Sequence, residues 1–142
     1  MRPSDPYKVF QFVVEINGVQ IGGFSDVAGL EVRTEFDEYR EGGVNDYVHK
    51  IAKETRYPNL TLKRGITDAL EFWVWHQLVV NGVIERKTVS VVLLDSQRRE
   101  KWRWIFREAY PVKWNGSDLS ASGNTVAVES VELAHHGMMR LL

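Results

Sequence analysis

The sequence predicts a mainly β protein with one helix, of the α+β class, in which two packed antiparallel sheets form a sandwich or partly open barrel flanked by that helix. Three observations carry this expectation. Short runs of β-branched and aromatic residues recur along the chain with turn residues between them. One segment alone, near residues 68–81, repeats its apolar residues at helical intervals. The 142 residues are 44% hydrophobic and 26% charged, an ordinary globular composition in a chain long enough for its own core, so residues 1–142 are expected to form a single domain.

Each element follows from its residues. Residues 9–16 (Val-Phe-Gln-Phe-Val-Val-Glu-Ile) read as a strand, Asn17-Gly18 is the dipeptide best suited to a type I′ turn, and Val19-Gln20-Ile21 returns as the second strand of a hairpin. Gly22-Gly23 is expected to break that pairing. Over residues 30–37, Leu30, Val32, Thr34 and Phe36 alternate with Glu31, Arg33, Glu35 and Asp37, which predicts a strand with an apolar face for the core and a charged face for water. Residues 39–45 are polar and glycine-rich and residues 47–51 look extended, so a long excursion is expected before Tyr57-Pro58. Leu60-Thr61-Leu62 is a short strand that Lys63-Arg64-Gly65 ends.

For the helix, Asp68 is the expected cap, Glu71 stands in capping-box spacing, and Leu70, Trp73, Val74 and Gln77/Leu78 form the apolar stripe. Asn81-Gly82 stops it. Residues 88–94 and the alternating stretch of Trp102, Trp104 and Phe106 make a second hairpin around the polar turn at residues 95–99. A last strand fits residues 125–133. The core-packing residues expected on this reading include Trp73, Trp102, Trp104 and Phe106.

The residues point away from catalysis. Eighteen Lys and Arg against nineteen Asp and Glu leave a net charge of −1, with no global field for nucleic acid or anionic lipid. Without cysteine there is no disulfide, thiolate nucleophile or cysteine-based metal site. His49, His76, His135 and His136 lack the two-histidine helical spacing of zinc enzymes. No Gly-x-Ser-x-Gly, Walker or Gly-x-Gly-x-x-Gly motif occurs, and Gly22-Gly23 and Gly42-Gly43 read as turns rather than phosphate cradles. The acids Asp37, Glu38 and Glu41 cluster on a solvated face and its loop. Cations and rings interleave over residues 98–104, as in single-strand nucleic-acid binders, but strand alternation puts Trp102 and Trp104 opposite Lys101 and Arg103. No enzyme, cofactor or metal is therefore expected. The opening Met1-Arg2-Pro3-Ser4-Asp5-Pro6 lacks the apolar run of a secretory signal, and no stretch reaches the roughly 20 apolar residues of a membrane helix, so synthesis in the cytoplasm without a membrane anchor is expected.

Phe10-Gln11-Phe12-Val13-Val14-Glu15-Ile16-Asn17-Gly18 followed by Gly22-Gly23-Phe24-Ser25-Asp26-Val27-Ala28-Gly29-Leu30-Glu31 resembles the opening of the inner tube proteins of contractile phage tails and extracellular injection systems. Further resemblances follow in order: Glu38-Tyr39-Arg40-Glu41-Gly42-Gly43, Tyr57-Pro58-Asn59-Leu60-Thr61-Leu62-Lys63-Arg64-Gly65, the helical Trp73 and Trp75, Pro111-Val112-Lys113-Trp114, and residues 129–137. They span essentially the whole chain. The resemblance implies a tail-tube fold shared with type VI secretion tubes. It implies hexameric rings stacked into a tube with a lumen for DNA or a protein effector, and contractile sheath, baseplate and spike proteins as partners in a phage tail or injection particle. On it, Tyr39, Arg40, Glu41, Gly42, Gly43, Val44, Asn45, Tyr47 and His49 are expected at the contact between rings, and Glu31, Arg33, Glu35 and Asp37 at the lumen. A tube-initiator paralogue at the baseplate, and a cargo or nucleic-acid adaptor acting through Lys101, Arg103 and Arg107, are the alternatives.

Overall fold

In the computed structural model, which describes residues 11–39, 48–119, 121, 123 and 126–141, the expected opening hairpin is present. Strands β1 (Gln11–Ile16) and β2 (Val19–Phe24) pair antiparallel around Asn17 and Gly18, whose φ angles of 49° and 82° are the left-handed pair of a type I′ turn. The Asn17 side chain also accepts a 2.9 Å hydrogen bond from the Thr88 backbone N–H, which ties the turn to a neighbouring strand. Gly22 and Gly23 do not break the pairing as expected; they continue β2 opposite Val14 and Val13. The register slips between Val14 and Glu15, and Gly22 takes φ +129°, so glycine here serves a bulge that bends β2.

That bend closes the fold. After Ser25 the chain continues as β3 (Asp26–Ala28), which pairs with β6 (Leu60–Gly65). The strand order is β2-β1-β7-β8-β9-β6-β3, where β7 is Lys87–Leu94, β8 is Glu100–Gly116 and β9 is Val128–Ala134. Ser25 alone separates the first member of this order from the last, and its N–H donates to the Lys63 carbonyl at 3.0 Å. The two expected sheets are thus two sides of one strand path that returns to its start. Strand β8 makes the second corner at Glu108, where φ is 54°. Its first half pairs with β7 and β10 (Met138–Leu141), its second half with β9.

Between the two sides lie Val14, Leu60, Leu62, Val91, Phe106 and Leu133, all essentially without solvent exposure. Helix α1 (Glu71–Val80) packs on β8 and inserts Phe72 and Trp75, and the Trp75 indole donates 2.7 Å to the Glu85 carbonyl. The helix therefore has the opposite phase to the expected one: Trp73 is 43% exposed while Trp75 is 1% exposed, and Leu70 and Val74 also face outward. Nor does Asp68 cap it. The N-cap position is Leu70, without a side-chain hydrogen bond, and Glu71 instead accepts from Arg64. The second hairpin forms as expected, with Phe106 fully buried, Trp104 at the margin of the core, and Trp102 half-buried beneath the Arg140 guanidinium at 3.5 Å. The last strand begins at Val128, with Val126 and Ala127 outside it, and the expected start at residue 125 lies outside the described residues.

The expected strand at residues 30–37 appears as β4 (Arg33–Tyr39), but it joins neither side of the barrel. Among the described residues it pairs with β5 (His49–Arg56) alone, and this ribbon is exposed along almost its whole length. Phe36 and Thr34, expected in the core, lie at the surface.

Candidate assembly surface

The ribbon keeps the alternation of its sequence. Cross-strand partners share a face, so Thr34 with Thr55, Phe36 with Ala52 and Glu38 with Lys50 form one side. On that side the two threonine hydroxyls are 3.1 Å apart and the Lys50 ammonium lies over the Phe36 ring at 5.1 Å. Arg33, Glu35, Asp37, Ile51 and Tyr39 lie on the other, where Lys53 meets Asp37 at 3.7 Å, Arg56 meets Glu35 at 3.5 Å, and Tyr39 stacks on His49 with centroids 4.8 Å apart. A free two-stranded ribbon is marginal in water. This one presents both faces and leaves Phe36 and Ile51 about half exposed.

Three further surfaces stand out. The outward side of α1 carries Leu70, Trp73, Val74 and Val80, and Trp73 meets the Trp114 ring edge to face at 4.9 Å. Among the described residues, the segment β2-β1-β7-β8-β10 pairs β2 only with β1, and β10 only with β8, so each end offers an edge of backbone groups that no described strand uses. Its outward face has a small apolar strip of Val13, Val92 and Leu94. Arg103, the cross-strand partner of Val92, reaches Glu15 at 2.7 and 3.1 Å and Glu100 at 2.8 and 3.0 Å. These bonds raise the Arg103 pKa above its already high ordinary value, and Arg103 holds Glu100 below the usual carboxylate range.

Two polar clusters hold the corners, one buried and one partly exposed. Arg64 and Glu129 are buried together, with Arg64 Nε donating 2.6 Å to Glu129, Nη2 donating 3.0 Å to Glu71, and the Trp114 indole donating 3.0 Å to the second Glu129 oxygen. The guanidinium also lies about 5 Å from the Phe24 and Phe72 rings, so one side chain ties β2, β6, β9 and α1. At the other corner His135 Nδ1 accepts from the Gly137 N–H at 3.1 Å and Nε2 faces the Pro58 carbonyl at 3.0 Å. That pairing suits the neutral ring, and burial lowers its pKa. Among the described residues no group of three or more histidine or acidic side chains could hold a metal, and no helix is long and apolar enough to cross a membrane.

The family model for the T4-like virus tail tube protein gp19 matches residues 8–139. The chain belongs to this tail tube family. It is accordingly a tail tube protein of the kind found in contractile phage tails or extracellular injection systems, a structural protein and not an enzyme. A chain in the anti-feeding prophage baseplate shares 25% identity, with a TM-score of 0.82 over 99% of this chain and 97% of its own. A chain in the sheath–tube complex of the PVC extracellular contractile injection system shares 23% identity, with a TM-score of 0.85 over 98% and 93%. The Hcp1 protein of Flavobacterium johnsoniae has the same fold more distantly, at 16% identity and a TM-score of 0.58 over 92% and 94%. No curated protein sequence is significantly similar.

Among the tail tube residues expected at the contact between rings, Tyr39 and His49 sit together on the ribbon. Arg40, Glu41, Gly42, Gly43, Val44, Asn45 and Tyr47 lie outside the described residues. Arg33, Glu35 and Asp37, expected at the lumen, share the charged ribbon face, and Glu31 lies in the approach to it. Lys101 and Arg103, the cations of the adaptor alternative, are engaged by Asp95 and by Glu15 and Glu100. Sequence reasoning missed Arg64, whose strand alternation with Leu60 and Leu62 was the available signal that it points inward.

Proposed function

We propose that copies of this chain join side by side into six-membered rings, and that the rings stack into the inner tube of a contractile particle. The observation that carries the reading is the pair of strand edges, β2 and β10, that stay unpaired among the described residues at opposite ends of one strand segment. Joining β2 of one copy to β10 of the next is a heterologous contact, which closes when the rotation per copy divides the circle and satisfies the edge groups of every member. The outward face of the segment then becomes the channel wall. That assigns the lumen to Glu15, Glu100 and Arg103, and makes Arg33, Glu35 and Asp37 the wet side of an arm formed by the ribbon, which reaches from residues 39 and 49 toward the next ring.

The relatives in a sheath–tube complex and a baseplate support contractile sheath and baseplate proteins as neighbours of this tube; on the same reading a spike stands at its tip and DNA or a protein effector passes through its lumen. Such a chain works in a phage tail or injection particle. The test is negative-stain electron microscopy of the purified protein with light scattering. Rings or stacked tubes are expected, and a 16.4 kDa monomer at every concentration, even when seeded with preformed tube ends, overturns the reading.

A further inference from the structure

The helix and the ribbon each carry exposed apolar residues. On α1, steps of 100° per residue put Leu70, Trp73, Val74, Gln77 and Val80 within one 120° sector, opposite the buried Phe72 and Trp75. Its four apolar members are 43 to 66% exposed, and no charged residue lies among the five. The helix is thus apolar on both sides, a pattern that belongs to helices covered on both sides. Val83 and Ile84, just beyond its end, are also about half exposed.

We propose that this helix stripe receives the Thr34-Phe36-Ala52 face of the ribbon from a copy in the next ring, an inference that rests on the tube reading above. Three features favour that occupant over a sheath, nucleic acid or other charged partner. The stripe offers no charge for an acidic or basic surface to pair with. The ribbon face is the less charged of its two sides, with threonine hydroxyls already bonded to each other and Phe36 49% exposed. Ribbon and helix also occur once in every copy, so each arm finds one stripe and a stack leaves uncovered surfaces only at its ends.

The chain has no cysteine, so an engineered pair reads out this contact without background. In the double variant Ala52→Cys with Val74→Cys, tubes treated with a short bismaleimide are expected to give a ladder of dimers, trimers and higher species, while either single variant stops at the monomer. Tubes that assemble but give no ladder overturn this contact and leave the tube reading intact; wild-type protein that forms neither rings nor tubes overturns both. A second variant, Val74→Glu, changes an exposed residue and should keep the circular dichroism and melting temperature of the parent. It is expected to shorten tubes at least tenfold, toward single rings. Folded Val74→Glu protein that grows tubes of parental length contradicts the proposal.

Discussion

Strand β7, rich in valine and leucine, and the β4–β5 ribbon, where charged residues alternate with threonine and apolar ones, meet opposite fates. In β7 both alternating sets are buried: Val89 and Val91 face the core, while Val92 and Leu94 form a small buried cluster with Val13 on the other side. In the ribbon both sets are exposed, although Thr34 and Phe36 alternate with charges as cleanly as any strand of the barrel. The same contrast divides the helix, whose Phe72 and Trp75 are enclosed while Trp73 and Val74 are open. An alternating or helical pattern states that a face is apolar, and it does not state which molecule covers it. In a subunit built to associate, part of the apolar pattern belongs to the neighbour.

The largest effect that tests the contrast is in the barrel. Arg64→Ala strands the Glu129 carboxylate in the interior with only the Trp114 indole as partner, and is expected to cost ~3–5 kcal/mol, read as a lower midpoint in urea unfolding. Methionine at position 64 is expected to be no worse than alanine, since the loss comes from the buried charge.

The two helix tryptophans give a matched comparison. Trp75→Ala is expected to lose ~3–5 kcal/mol by opening a cavity. Trp73→Ala, which loses only an edge contact with Trp114, should stay within about 1 kcal/mol in the monomer while impairing assembly. Equal losses at the two sites would mean that the outward stripe is core after all.

His135 provides a finer probe of the corner beside the ribbon root. Burial holds its pKa below 6.5, so the unfolded chain takes up the proton first. Its contribution to stability is therefore full above pH 6.5 and is lost as the pH falls from there toward the lower folded value. Melting temperature should decline over that interval, and His135→Leu should flatten the slope; an unchanged slope would remove His135 as the titrating group. The smallest effect is expected on the ribbon, where Lys53→Ala breaks an exposed pair with Asp37 and should change stability by less than about 0.5 kcal/mol.

Much of the fold was legible in the residues. Asn17-Gly18 announced its hairpin, the alternation of Trp102, Trp104 and Phe106 announced β8, and Asn81-Gly82 marked the helix end, because each is a local signal with a local cause. What escaped depends on distant parts. Closure of the barrel rests on a bend at Gly22 to Ser25 that brings β2 and β6 together, and Lys63-Arg64-Gly65 read as a strand end although Arg64 is bonded to a glutamate 65 residues away. Of the candidate surface, the stretch that forms the ribbon and the apolar stripe were both visible in sequence. Their direction was not, since Leu70, Trp73 and Val74 form as regular a stripe as a core would need.

The central claim is that the surfaces left open in one copy are those that join copies. A cryo-electron microscopy reconstruction of tubes grown from the purified chain tests it most directly. The account predicts six copies per ring, β2 hydrogen-bonded to β10 of the neighbour, and each ribbon lying on a helix stripe in the next ring. Rings in which those two edges and the helix stripe all face solvent would contradict it.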